Sequence, residues 1–459
     1  LEEAEDLVTQ LLRRDPLNVW ALYLASESDL SMGEKLRSGL GSDSQRWIDL
    51  ALDLQESAWE SGAVLWHSPK SPMISAIIKH GGFSGEKVGA GQPGHFPSRL
   101  EELDLLMSAF ETFKCSSEEA RLLGFLLYDK KRPLEALEAW KRALELDPGD
   151  GLSWRCLGIA SFNVLGDSQA AMEAYERAFQ ARPNDARVFY ERDQLWKKCG
   201  ESPEKRLAEL ESRRELVTSR DDLSTEHASL LCQVGNASGA LKALLTRSFS
   251  PWEGGEGAAL GLHDRCSLIL ARKMLKEGRS EEALSIIQVA LTPPQSLGEA
   301  RHVLANASEI WVALGDALQA CGRPKEAEDW WRKAADFEGD FQEMAVLAWS
   351  ELSYFRGAAL NRLGKDAEAE RLFVELLDYA ESLEASEAKI DYFATSLPTL
   401  LLFEDDLQER QTQKARLMKA MALTGLGRKQ EAAELLRGIL KQDPSHARAC
   451  DLLREMDQK

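Results

Sequence analysis

Two consecutive stretches between Ser117 and Asp185 repeat one residue pattern at a spacing of about 34 residues, and this limits the chain more than any other feature. In the first, Leu123-Gly124, Ala136, Trp140, Ala143 and Pro148 hold the marked places. In the second, Trp154, Leu157-Gly158, Ala171, Tyr175, Ala178 and Pro183 hold the same places, with one extra residue in the inner turn. The pattern calls for two packed helices per unit. Gly124 and Gly158 put no side chain between them, and Ala136 and Ala171 act likewise from the second helix. Trp140 and Tyr175 are expected to fill the wider space toward the next unit. Pro148 and Pro183 close each unit, because proline cannot continue a helix interior. A unit of this size buries its apolar stripe only against a neighbour, so the pattern implies an array.

These residues resemble the tetratricopeptide (TPR) repeat. The resemblance implies an all-α fold, a TPR-type α-solenoid. It is a right-handed superhelix of helix-turn-helix repeats, partly degenerate, with two irregular loop insertions. Residues 1–96 read as divergent helical repeats ending in a glycine-rich loop, His80–Phe96. Leu1–Pro16 keeps the spacing of a second TPR helix, so the chain is expected to begin inside a repeat of a longer protein. Residues 97–247 read as a central TPR array, 248–263 as an irregular WEGGEG loop, 264–446 as a second TPR array and 447–459 as a capping helix with a solvent-facing polar side. Pro203–Thr218 reads as one helix, and no stretch reads as a strand.

The composition excludes several classes of function. The formal net charge is −20, which disfavours nucleic acid and anionic membrane as partners. No apolar run approaches the ~18 residues of a membrane-spanning helix. The seven cysteines are odd in number, scattered and never in a C-x-x-C pair, which argues against a disulfide framework or a zinc site and for a reducing, cytoplasmic setting. None of the seven histidines has a second ligand at helical spacing. Gly82, Gly85 and Lys87 do not have phosphate-loop spacing. No catalytic residue, metal or cofactor is expected.

The candidate binding residues lie where first helices of TPR units face the inner groove. They are Arg121, Phe125, Tyr128 and Asp129, then Arg155, Phe162 and Asn163, then Arg187, Tyr190 and Gln194. Three arginines in line offer planar forks for oxygen ligands, and the aromatics beside them offer flat apolar contact. The competing reading pairs these arginines with local acids such as Glu118 and Asp129. The lysine–asparagine clamp of chaperone-binding TPRs is not reproduced, since those positions carry Arg121/Phe125 and Arg155/Ile159. The loop candidate is Trp252, Glu253 and Glu256, either as a sugar or domain contact or with Trp252 plugging a gap.

Further motifs carry a second resemblance. Pro97 to Leu103, Leu127 to Arg132, Asp185 to Val188, Asp193 to Leu195, Arg220 to Leu223 and Pro251 to Gly257 resemble a group of large bacterial and fungal proteins. In that group an N-terminal mutarotase-like β-sandwich of unassigned function precedes a long TPR region. The resemblance implies a carbohydrate-related parent. The expected role is then a non-catalytic scaffold whose groove binds a protein or peptide segment, or the parent's β-sandwich, with self-association as a further possibility. The alternative is an accessory part of a glycoside-active enzyme that lends sugar-binding residues to a site on the sandwich.

Overall fold

The computed structural model describes residues 115–250, 252, 254–342, 345–389 and 402–457, with scattered helical positions ahead of Cys115. The expectations for residues 18–96, including the glycine-rich loop, lie outside these, as does Glu253. The described chain is an all-α TPR solenoid divided into two compact units, residues 1–160 and 161–459.

In the first unit, α1 (Ser117–Asp129) pairs with α2 (Pro133–Leu146), and α3 (Gly151–Asn163) begins. Local chemistry sets these limits. Ser116 and Glu119 form a reciprocal capping box at the start of α1. Pro133 opens α2 at a position where its missing N–H costs nothing. The turn between them passes through Lys131 at φ 61°, whereas the later turns at Gly278 and Gly322 use glycine at φ 75° and 74°.

The repeat glycines have a more specific job than backbone approach. A Cβ on Gly124 would lie 2.2 Å from Nε1 of Trp140. Gly315 stands in the same relation to Trp331 at 2.3 Å, and Gly357 to Phe373 at 2.4 Å. The aromatic ring of the second helix therefore lies directly on the glycine of the first helix in its own unit. The indole of Trp140 also donates to Arg121 O at 3.3 Å. Overpacking of this kind costs about 1–3 kcal/mol. Gly315→Ala is expected to lower the thermal midpoint by several degrees, read by circular dichroism, and Trp331→Phe in the same chain to restore part of it.

The second unit continues with α4 (Ser168–Ala181), α5 (Ala186–Lys198), α6 (Pro203–Ser212), α7 (Arg214–Ser219), α8 (Asp221–Gln233), α9 (Ala237–Leu245), α10 (Ala258–Lys276) and α11 (Ser280–Leu291). After a short 3-10 turn come α12 (Ser308–Ala320), α13 (Pro324–Asp336), β1 (Asp340–Gln342), β2 (Ala345–Leu347), α14 (Ser353–Arg362) and α15 (Asp366–Ala385). The unit ends with α16 (Leu407–Gly425), α17 (Lys429–Gln442) and α18 (Ala447–Asp457). Its largest apolar cluster runs from Trp311 and Phe355 through Phe373 and Met421 to Ile439 and Ala449.

Three expectations are corrected. Pro203–Thr218 is two helices, because Arg213 leaves helical geometry at φ −130°, ψ 46°. A strand pair does exist: Asp340 to Leu347 forms an antiparallel hairpin. Asn306 anchors it, its N–H donating to Asp340 and its side chain to Gly339 O, and Phe341 stacks on His302 at 4.2 Å. Strands of three residues are too short for a period of two to show in sequence. Finally, α18 does not present its polar side to solvent. It turns that side onto α8, α10 and α12 of the same unit.

Candidate binding face

On α1, Arg121 is oriented by acids. Its Nη1 meets Asp150 at 2.9 Å and its Nη2 meets Glu118 at 3.5 Å. Asp150 is itself fixed, accepting from the backbone of Leu152 and the hydroxyl of Ser153 at the start of α3. Half-buried Phe125 and Tyr128 lie against Trp140, with ring centroids 6.3 and 5.7 Å apart. Asp129 is exposed and pairs with Lys130 at 2.9 Å. Arg155 is half-buried on α3. The first unit thus holds a guanidinium and two braced aromatic rings on one helix.

In the second unit the nominated residues mostly hold the chain itself. Arg187 is exposed and pairs with Glu191 at 2.9 Å, and Glu191 also accepts from the hydroxyl of buried Tyr175. Tyr190 is mostly buried. Burial, then the nearby carboxylates of Glu226, Asp222 and Asp193, push its phenol well above the ordinary value. Gln194 donates to Asp193 at 3.2 Å. Phe162 and Asn163 meet the segment that precedes α16. The Asn163 amide donates to Leu402 O at 3.0 Å and accepts from Glu404 N at 2.9 Å, holding one peptide unit on each side of Phe403. Phe403 is buried against the edges of Phe162 and Tyr175, 5.3 and 5.7 Å away. Lys198 reaches Asp405 at 2.5 Å.

Beside this, two buried charge centres lock the C-terminal stretch onto the first helices. Arg206, fully buried, forks onto Asp193 at 3.0 and 2.6 Å, meets Glu226 at 2.6 Å and reaches the Ser445 hydroxyl at 3.0 Å. Burial pushes Glu226 up, but Lys197 and Arg206 outweigh it and bring its carboxyl down to about 2. Glu309, also buried, takes Arg272 on one oxygen and Arg448 on the other, each at 2.6 Å. Here too the two guanidinium groups outweigh burial and lower the carboxyl. Arg265 forks onto Asp451, Arg272 meets Glu455 at 2.9 Å, and Gln233 donates to Pro444 O. Glu309 with its two arginines and the Arg265–Asp451 and Arg272–Glu455 pairs border a cavity of about 400 Å³ between α10, α12, α14 and α18.

None of Phe403, Glu309, Arg206 or the arginines facing α18 stood out in the sequence. One signal was present: Arg448, Asp451 and Glu455 recur at three- and four-residue spacing on one helix face, which fits an oppositely charged partner as well as solvent. The loop candidates fall elsewhere. Trp252 lies on Gly255, where a Cβ would be 1.8 Å from the indole, and packs on the α8–α10 core, while Glu256 is exposed. Glu299 accepts from Gly257 N, closing the loop. Among the described residues no group of three or more His, Cys, Asp or Glu could hold a metal ion, and no helix is long and apolar enough to cross a membrane.

Comparison with known proteins matches two of the helix hairpins. Family models described as tetratricopeptide repeat match residues 117–150 and 309–333, which are the α1–α2 and α12–α13 hairpins. Solved structures with similar folds include a tetratricopeptide repeat protein from Parabacteroides merdae, 14% identical, covering 57% of this chain and 92% of its own, with a TM-score of 0.30. Another is the Naa15/Naa10 complex bound to HypK-THB, at 15% identity, 83% and 60% coverage and a TM-score of 0.35. The human IFIT1 dimer with PPP-AAAA matches at 13% identity, 96% and 94% coverage and a TM-score of 0.30. The chain carries TPR repeats.

Proposed function

We propose that this chain is a non-catalytic interaction scaffold that binds a protein segment on the first-helix face of its TPR hairpins. The observation that carries this reading is the prepared surface of α1. Arg121 is aimed by Asp150, and Phe125 and Tyr128 are braced by Trp140, so little side-chain freedom remains to be lost on binding. Aromatic and arginine side chains of this kind supply most of the affinity at protein interfaces. The partner is a protein or peptide, or the β-sandwich of a larger carbohydrate-related parent, as the sequence resemblance implies. Arg155 belongs to the same proposed face in the first unit, and Arg187 and Gln194 are proposed separately for the first-helix side of the second unit. A cytoplasmic location belongs to the same proposal, supported by the scattered, odd set of cysteines.

The test places a photo-crosslinking phenylalanine analogue at Tyr128, and separately at exposed Glu138 on α2, in the longest soluble form of the protein. Crosslinks to a polypeptide at position 128 and none at 138 are expected. Equal labelling at both positions, or none at either, overturns the reading. Tyr128→Ala should weaken capture of the crosslinked partner about tenfold while leaving the circular dichroism spectrum unchanged.

A further inference from the structure

The Leu402–Asp405 stretch is held as a bound peptide would be. Asn163 recognises main chain on both sides of Phe403, the Phe162–Tyr175 cleft takes the ring, and Lys198 takes the second of two following acids. A side-chain amide that both donates to and accepts from a peptide backbone reads main chain whatever its sequence, while the cleft and the lysine read side chains. We propose that Phe162, Asn163, Tyr175 and Lys198 form a recognition site for a segment of the pattern aromatic–acidic–acidic, filled in this structure by the chain's own Phe403-Glu404-Asp405. A partner carrying that pattern competes with the internal segment.

The geometry fixes the chemistry of the occupant. The cleft is lined by two aromatic edges and needs a flat apolar ring. Glu404 is exposed, and the contact that holds it runs through its backbone N–H to Asn163, so the first acid contributes charge. Asp405 is the position that meets a cation. The internal segment competes at the high effective concentration of a tethered ligand, on the order of millimolar. The intact chain is therefore expected to bind a free peptide weakly, and removing the internal side chains should expose the site. This inference rests on the scaffold reading and specifies a partner for the second unit.

The experiment uses the whole chain and a fluorescein-labelled peptide of residues 400–408, followed by anisotropy. Phe403→Ala should bind the peptide about tenfold or more tighter than the wild type, since the competent fraction rises. Adding Asn163→Ala should abolish that gain. In case Phe403→Ala loosens the fold, a second pair avoids the core: Asp405→Lys should bind the native peptide more tightly than the wild type, and Lys198→Glu should prefer a peptide with lysine at the aspartate position. Circular dichroism and thermal melts accompany each variant. Binding that ignores both Asn163 and the charge exchange, or no binding to folded Asp405→Lys, overturns the proposal. If crosslinking at Tyr128 still captures a polypeptide, the scaffold reading survives that result; loss of both removes it.

Discussion

Glu309→Gln should release α18 from the second unit and lower its stability by about 3–5 kcal/mol, the cost of leaving buried charges without their partner. Two guanidinium groups depend on this carboxylate, Arg272 on α10 and Arg448 on α18, and it is only 6% exposed. A glutamine keeps the shape and one acceptor oxygen but brings no charge. The apolar side of α18 buries Ala449 and rests Leu452 and Leu453 on the large cluster. It is not expected to hold the helix alone, because half-buried Arg448 would then face Arg272 with only the Arg272–Glu455 pair to offset the two charges. Hydrogen exchange read by mass spectrometry should show faster exchange across residues 447–457 in the variant, with protection in α1 and α2 unchanged. Wild-type protection in α18 would mean that apolar packing suffices and the ion pairs are incidental.

Removing Arg206 should have a comparable effect with the opposite sign of charge left behind. Arg206→Leu strands Asp193 in the interior, leaves Glu226 with Lys197 alone at 3.3 Å, and should cost about 3–5 kcal/mol near neutral pH. Arg206→Lys should fall between, since an ammonium replaces the charge but not the two-pronged contact to Asp193. The pH dependence follows from the carboxyl of Glu226, which is held at about 2 against an ordinary value of 4.5. A lowered pKa contributes stability that is fully present above the ordinary value and is lost as pH falls toward the folded one. In the wild type this contribution therefore drains away between about pH 4.5 and pH 2. The variant keeps only the part that Lys197 supplies, and protonation relieves its stranded Asp193. The gap between wild-type and Arg206→Leu melting temperatures should narrow as pH is lowered from 4.5 toward about 2. A gap that stays constant would show that Arg206 acts by filling space.

Both results concern contacts that are remote in sequence, and this marks how far the sequence could be read. The hairpins α1–α2 and α12–α13 were legible because each is a local object. Glycine, alanine and aromatic positions within some 20 residues of one another decide how two adjacent helices touch, and capping residues mark where they stop. That Trp140 sits on Gly124 of its own unit, where spacing pointed it toward the next, appears only in three dimensions. Nominating Asn163 was also possible, because helical phase alone places it on the first-helix face. Its role was not, because its partner Leu402 lies 239 positions away. The break at Arg213 and the hairpin at Asp340–Leu347 escaped for a different reason: each spans too few residues for periodicity to show.

The sequence by itself determined that this chain is helical, that it is built from TPR hairpins, and which helix faces pack within each hairpin. These follow from spacing, and spacing is a local property. Only the tertiary structure decided where the array ends up. It turned the last helix back onto α8, α10 and α12, laid Phe403 between Phe162 and Tyr175, and joined Arg272 to Arg448 through Glu309. The small rotation between successive hairpins accumulates along an array, so which distant residues finally meet depends on the sum of many packing angles rather than on any one stretch of chain.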